Sequence, residues 1–154
     1  MNGKLATLSI GSKIPKSDIR NRLQLVKRQE GDIPALYRIR LGGLEYEITC
    51  INKVIVGISL KLSDYPNKSF KLFIRNRSSI NFGFNSNLVD LITYLNDTKT
   101  DWYFYTKDSD EKSIGLHLTK SRLNILYSFN SEYTCCYRIY AFDWMLYEKL
   151  AKAK

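Results

Sequence analysis

A chain of 154 residues carries 24 Lys and Arg against 15 Asp and Glu, a formal charge of 24 − 15 = +9, and 44% of it is hydrophobic. One domain of that length buries roughly 70% of its unfolded surface, and 13% aromatic residues with 8 Gly and 3 Pro exclude disordered and fibrous classes. No apolar run approaches the ~20 residues that cross a bilayer, and Met1–Leu5 opens no signal peptide, so a cytoplasmic protein with no membrane partner is expected.

In chain order, Ser12 through Arg28 predicts a first helix, with Pro15 in its first turn and Ile14, Ile19, Leu23 and Val26 near helical spacing. Gly31-Asp32-Ile33-Pro34 breaks it. Leu36–Leu41 and Leu44–Cys50 alternate as strands around a Gly42-Gly43 turn. Val54–Leu62 follows, rich in β-branched residues, and Phe70–Arg75 makes a fourth strand after the Asp64–Asn67 loop. Asn85 or Ser86 then caps a helix through Leu95, with Leu88, Leu91, Ile92 and Leu95 on one side. Trp102–Thr106, Ser113–Thr119, Arg122–Phe129 and Tyr133–Phe142 predict four more strands. Asp143–Ala151 closes the chain as an amphipathic helix.

Both halves therefore follow an α-β-β-β-β order. A shift of 72 pairs Leu8 with Ile80, Ile10 with Phe82, Gly11 with Gly83, Asp18 with Asp90, Ile19 with Leu91 and Leu23 with Leu95. The expectation is one α+β domain of two repeats, about 5–78 and 79–142, plus the C-terminal helix 143–152. Their strands would join in one mostly antiparallel curved sheet with the helices on one face.

Leu8-Ser9-Ile10-Gly11 and Ile80-Asn81-Phe82-Gly83, each leading into helix and hairpin, resemble the repeat of the β-lactamase-inhibitor-protein-like family. The related small outer-membrane lipoproteins of the SmpA type share it. The resemblance implies a non-enzymatic protein inhibitor. With neither secretion signal nor disulfide framework in the sequence, it implies a cytoplasmic one, similar to the bacterial immunity proteins that neutralise a cognate toxin.

The residues agree with a binding role. Cys50, Cys135 and Cys136 are odd in number, and the adjacent pair points to opposite faces of a strand, so free thiols are expected. His117 lies on the polar face of its strand. Asp108, Asp110 and Glu111 crowd one loop without metal-ligand spacing. Glu45 and Glu47 lie across a hairpin from Arg38 and Arg40, where cross-strand ion pairing accounts for them better than acid–base chemistry. No metal or cofactor is implied.

Charge is uneven. Residues 1–78 hold 15 Lys and Arg against 6 Asp and Glu, whereas residues 79–154 hold 9 against 9. The whole excess lies in the first half, which suits an acidic partner. Strand alternation predicts an outward face of Arg38, Arg40, Lys61, Lys71, Phe73 and Arg75, extended by His117, Arg122, Asn124, Arg138 and Tyr140. Tyr and Arg on an open sheet face have the composition of a binding hot spot. The partner expected is a protein toxin or enzyme with an acidic patch. The alternative is single-stranded nucleic acid, stacked on the aromatics with phosphates on the basic residues.

Overall fold

The computed structural model describes residues 4–5, 8–15, 22–73, 79–129 and 134–153. In chain order its elements are β1 (Lys4–Leu5), β2 (Leu8–Ser9), β3 (Leu23–Lys27), β4 (Ala35–Leu41), β5 (Leu44–Ile51), β6 (Val54–Lys61), β7 (Ser69–Phe73) and β8 (Ser79–Gly83). They continue with α1 (Leu88–Asp97), β9 (Trp102–Phe104), β10 (Ser113–Leu118), β11 (Leu123–Phe129), β12 (Thr134–Phe142) and α2 (Trp144–Lys152). Eight strands hydrogen-bond in the order β3-β4-β5-β6-β12-β11-β10-β9, while β1-β2 and β7-β8 form separate two-stranded sheets. The class is α+β, dominated by antiparallel sheet. No helix among the described residues is long and apolar enough to cross a membrane.

The chain divides into two compact units: Met1–Leu60 with Tyr140–Lys154, and Lys61–Ile139. The division falls within β6 and β12, not at the expected 78/79 junction, and the C-terminal helix belongs to the first unit.

In the first unit β3, β4, β5 and β6 run as consecutive antiparallel neighbours. Gly42 and Gly43, at φ +58° and +74°, make the tight β4–β5 turn that matches strand twist. Alternation then sends one side chain in two to a core of Leu8, Ile14, Leu23, Ile39, Ile48, Cys50, Ile55 and Ile58. A bulge shifts the register, setting Thr49 opposite Gly57 but Cys50 opposite Ile55. Strict alternation puts Val54 and Val56 with Ile58; the extra residue hands that place to Ile55. On the other face, a Cβ on Gly57 would meet the Phe142 ring at 2.5 Å, so only glycine lets that ring lie against the strand. Asp143 caps α2 through a 2.9 Å bond from the Leu146 N–H.

The predicted helix over Ser12–Arg28 is corrected. Lys13 bridges to Val54, and Leu23–Lys27 is a strand paired with β4, Leu23 opposite Ile39 and Leu25 opposite Tyr37. Leu23 and Val26 have helical spacing, but pairing with β4 overrides that weak signal; only Leu23 of the five is buried. Residues 16–21 lie outside the described residues.

In the second unit β9, β10 and β11 form an antiparallel meander, with Leu116 opposite both Phe104 and Ile125. Leu116, Leu118, Leu123, Ile125 and Tyr127 are buried, as are Leu91 and Leu95 of α1. Trp102 and Phe104 share the face of Leu116 and Leu118, as alternation predicts. Asn87, one residue beyond the expected cap, caps α1 by accepting the Val89 N–H at 2.7 Å. The strand expected over Phe70–Arg75 is observed over Ser69–Phe73, but it pairs with β8 in its own sheet, Lys71 opposite Asn81.

Candidate functional site

The first unit's outward face is built on the β4–β5 register, which sets Arg38 opposite Glu47 and Arg40 opposite Glu45. Arg38 reaches Glu45 at 3.4 Å and Glu47 at 3.7 Å, and Arg40 reaches Glu45 at 3.6 Å. Two arginines and two glutamates sum to zero, so the face is polar and locally neutral. The cross-strand pairing expected from sequence is what the geometry has. The Nε of Arg38 is buried without an aligned hydrogen bond, its approach to Glu45 being ionic only. The Arg40 side chain is 78% exposed, so its pairing is weak in energy and open to exchange. Tyr140 also belongs to this unit, and its buried hydroxyl has no hydrogen-bond partner among the described residues.

The second unit's outward face has a different chemistry. Tyr103, opposite His117, packs against it with tilted rings whose centroids are 5.0 Å apart, and Tyr105 lies 5.8 Å from the same ring. His117 Nδ1 lies 2.8 Å from Asn124 Oδ1, and Asn124 is 3% exposed. Asn124 was expected outward; the imidazole and the sheet bury it instead, and the hydrogen bond satisfies its amide oxygen. Arg122 is corrected too. It sits at φ +51° in the β10–β11 turn, exposed, and not on the sheet face.

The remaining predicted residues lie on other elements. Lys61 ends β6, pairs with Asp64 at 3.7 Å and lies 6.0 Å from the Tyr137 ring, which Arg138 also approaches at 5.4 Å. Lys71 is exposed on the separate β7–β8 sheet, away from the β4–β5 hairpin's ladder. The side chain of Phe73 and the whole of Arg75 lie outside the described residues.

A groove of about 530 Å³ in the first unit has no counterpart in the sequence reading, because it depends on Leu23–Lys27 being a strand. Leu25, Ala35, Tyr37 and Cys50 line its floor, and Arg28 and Lys53 its rim. Gln29 and Asn52 close one side, the Asn52 N–H donating to Gln29 Oε1 at 2.7 Å and Asn52 Nδ2 to the Leu150 carbonyl at 3.1 Å. Burial pushes the Cys50 thiol up to about 12 and raises Cys136 and Cys135 as well, so all three are poor nucleophiles. All three are free, as expected. Asp110 is drawn below the usual carboxylate range by the Lys112 N–H at 2.7 Å and then the Ser113 hydroxyl at 2.9 Å. Those bonds make it a turn-forming residue. Among the described residues, no three His, Cys, Asp or Glu gather where a metal could sit.

Comparison with family models, curated proteins and solved structures found no match to this chain.

Proposed function

We propose that this chain is a non-enzymatic protein inhibitor acting in the cytoplasm, an immunity protein that binds a cognate toxin and occludes its active site. The observation that carries the reading is the neutral, mixed-charge Arg38–Arg40–Glu45–Glu47 face. Interleaved carboxylates repel a phosphate backbone but complement a protein surface that carries both signs. Arginine on an open face is the residue type that dominates interface energetics. The basic excess of residues 1–78 favours a partner with an acidic patch.

A finer reading of the fold belongs with this proposal: that the two halves of the chain, about 5–78 and 79–142, descend from one duplicated segment. A recurrent turn supports it. Ser12 Oγ accepts the Ser9 N–H and Ser86 Oγ the Gly83 N–H, at 3.4 and 2.8 Å. Each serine N–H returns to the same residue's carbonyl at 3.1 Å. The shift in these bonds is 86 − 12 = 74, two residues from that of the sequence match.

Single-stranded nucleic acid is the second reading, favoured by the row of Tyr103, His117 and Tyr105, on which bases could stack. One titration separates the two. The product of the adjacent reading frame should bind stoichiometrically and lose its toxicity. Arg38→Ala or Arg40→Ala should weaken that binding at least tenfold, a cost of about 1.4 kcal/mol or more, with the melting temperature unchanged. Affinity for an oligonucleotide falling with salt at a slope near −0.7 per phosphate, with no protein bound, would replace the inhibitor by the nucleic-acid module.

A further inference from the structure

We propose that the groove of the first unit binds a small amphipathic anion, an acyl or aryl body that carries one carboxylate. The groove lies on the opposite side of the strands from the Arg38–Glu47 face, because Ala35 and Tyr37 alternate with Arg38 along β4. Its floor is apolar. Ala35 and Cys50 face each other across the β4–β5 ladder, 6% and 1% exposed, and Leu25 stands opposite Tyr37. Burial, and then the neighbouring Cys50 thiol, raises the Tyr37 phenol, so its hydroxyl stays protonated and able to donate. That hydroxyl makes no hydrogen bond to a described residue. The rim is charged with one sign only. Arg28 and Lys53 are both exposed, and no Asp or Glu among the described residues lines the groove with them. Neither forms an ion pair with a described residue. The complement is a negative head over an apolar body, and about 530 Å³ falls within the roughly 300–1,000 Å³ of small-molecule sites.

Two local features place those cations. Gln29 follows Arg28 and Asn52 precedes Lys53, and the two amides bind each other. Gln29 Nε2 donates to Asn52 Oδ1 at 3.1 Å, and the Asn52 N–H donates to Gln29 Oε1 at 2.7 Å. The pair ties the segment that carries Arg28 to the turn that carries Lys53. That turn is a two-residue β5–β6 connection, Ile51 opposite Val54, with Asn52 and Lys53 at φ +50° and +64°. Its second residue must be left-handed, so glycine is favoured there. Lysine strains the backbone where glycine would relax it, and residues held in that state concentrate at ligand sites. What lysine supplies and glycine cannot is a second positive charge on the rim.

Isothermal titration calorimetry of the whole chain with decanoate tests this, with acetate as the head alone and decanol as the body alone. Decanoate should bind one to one with a dissociation constant on the order of 100 μM, and the other two at least tenfold more weakly. Lys53→Gly separates binding from folding. It should weaken decanoate about tenfold, the worth of one charge-assisted hydrogen bond, while the melting temperature holds or rises. Arg28→Gln should weaken decanoate by a similar factor at an unchanged melting temperature. Lys112→Gln removes one exposed charge from the other unit and should leave decanoate affinity as it was. No binding of decanoate, equal affinity for acetate or decanol, or a Lys53→Gly chain that binds as tightly as the parent would overturn the proposal. So would a loss in Lys112→Gln equal to that in Arg28→Gln, which would make the effect one of net charge.

Discussion

Two antiparallel sheet faces, that of β4–β5 and that of β9–β11, are filled in opposite ways. The first uses Arg38, Arg40, Glu45 and Glu47, none of them buried. The second uses Tyr103, Tyr105, His117 and Asn124, and buries the amide almost completely. The difference follows from desolvation. An ion pair taken out of water loses more than its partner returns unless every donor is aligned, and Arg38 Nε is not. An amide facing an imidazole satisfies its oxygen with one bond, so it survives burial. The charged face stays hydrated and adaptable; the aromatic face buries its one amide while Tyr103 stays half exposed.

The largest perturbation tests whether the apolar sides beneath the two faces are equal. Ile48→Ala in the first unit and Ile125→Ala in the second remove side chains that are both fully buried. Each should cost about 2–5 kcal/mol in urea unfolding, the usual range for such truncations. A large inequality would mean that the faces differ because their cores do. Next comes alkaline pH. Cys50 is raised to about 12 and Cys136 also lies above its ordinary value, both by burial. The unfolded thiols ionise near 8.5, so their contribution is intact below that pH and drains away toward the folded value. For Cys50 alone the loss at pH 10 is about 2 kcal/mol, readable as a falling urea midpoint between pH 8 and 10.

A sharper test compares the faces directly. Asn124→Ala leaves His117 Nδ1 without its partner and should destabilise by about 1–3 kcal/mol. Glu47→Ala, in a half-exposed pair, should cost less than about 1 kcal/mol, and 1 M salt should shrink that further. If Glu47→Ala costs more than Asn124→Ala, the charged face is structural, and its candidacy as a docking surface weakens.

Period-two alternation made most of this legible. The strands from 36 to 61 and from 113 to 142 and the two helices α1 and α2 follow from hydrophobic spacing. So does the cross-strand pairing of Arg38 and Arg40 with Glu47 and Glu45, because a two-residue glycine turn fixes register. The failures have physical sources. Leu23 and Val26 have helical spacing and fall on opposite faces of a strand, and pairing with β4 overrides that local signal. The bulge opposite Thr49 and Cys50 has no sequence signature. β7 pairs with the next strand, β8, in a sheet of its own, and alternation within β7 does not say which partner it takes. Asn124 looked solvated because composition cannot reveal a cross-strand imidazole.

The first unit is discontinuous, and that sets an order of events during synthesis. Asp143 N–H donates to Val56 O at 2.9 Å, Tyr147 hydroxyl to Asp32 O at 3.1 Å, and Asn52 Nδ2 to Leu150 O. Each bond joins the early part of the chain to its last residues. A ribosome releases residues 140–154 after Lys61–Ile139, so β3 to β6 wait, incompletely covered, while that continuous segment already has all of its own chain. Contacts so far apart in sequence are slow to form. Until residues 140–154 arrive, the apolar sides of these strands, Ile39, Ile48 and Ile55 among them, lack part of their cover.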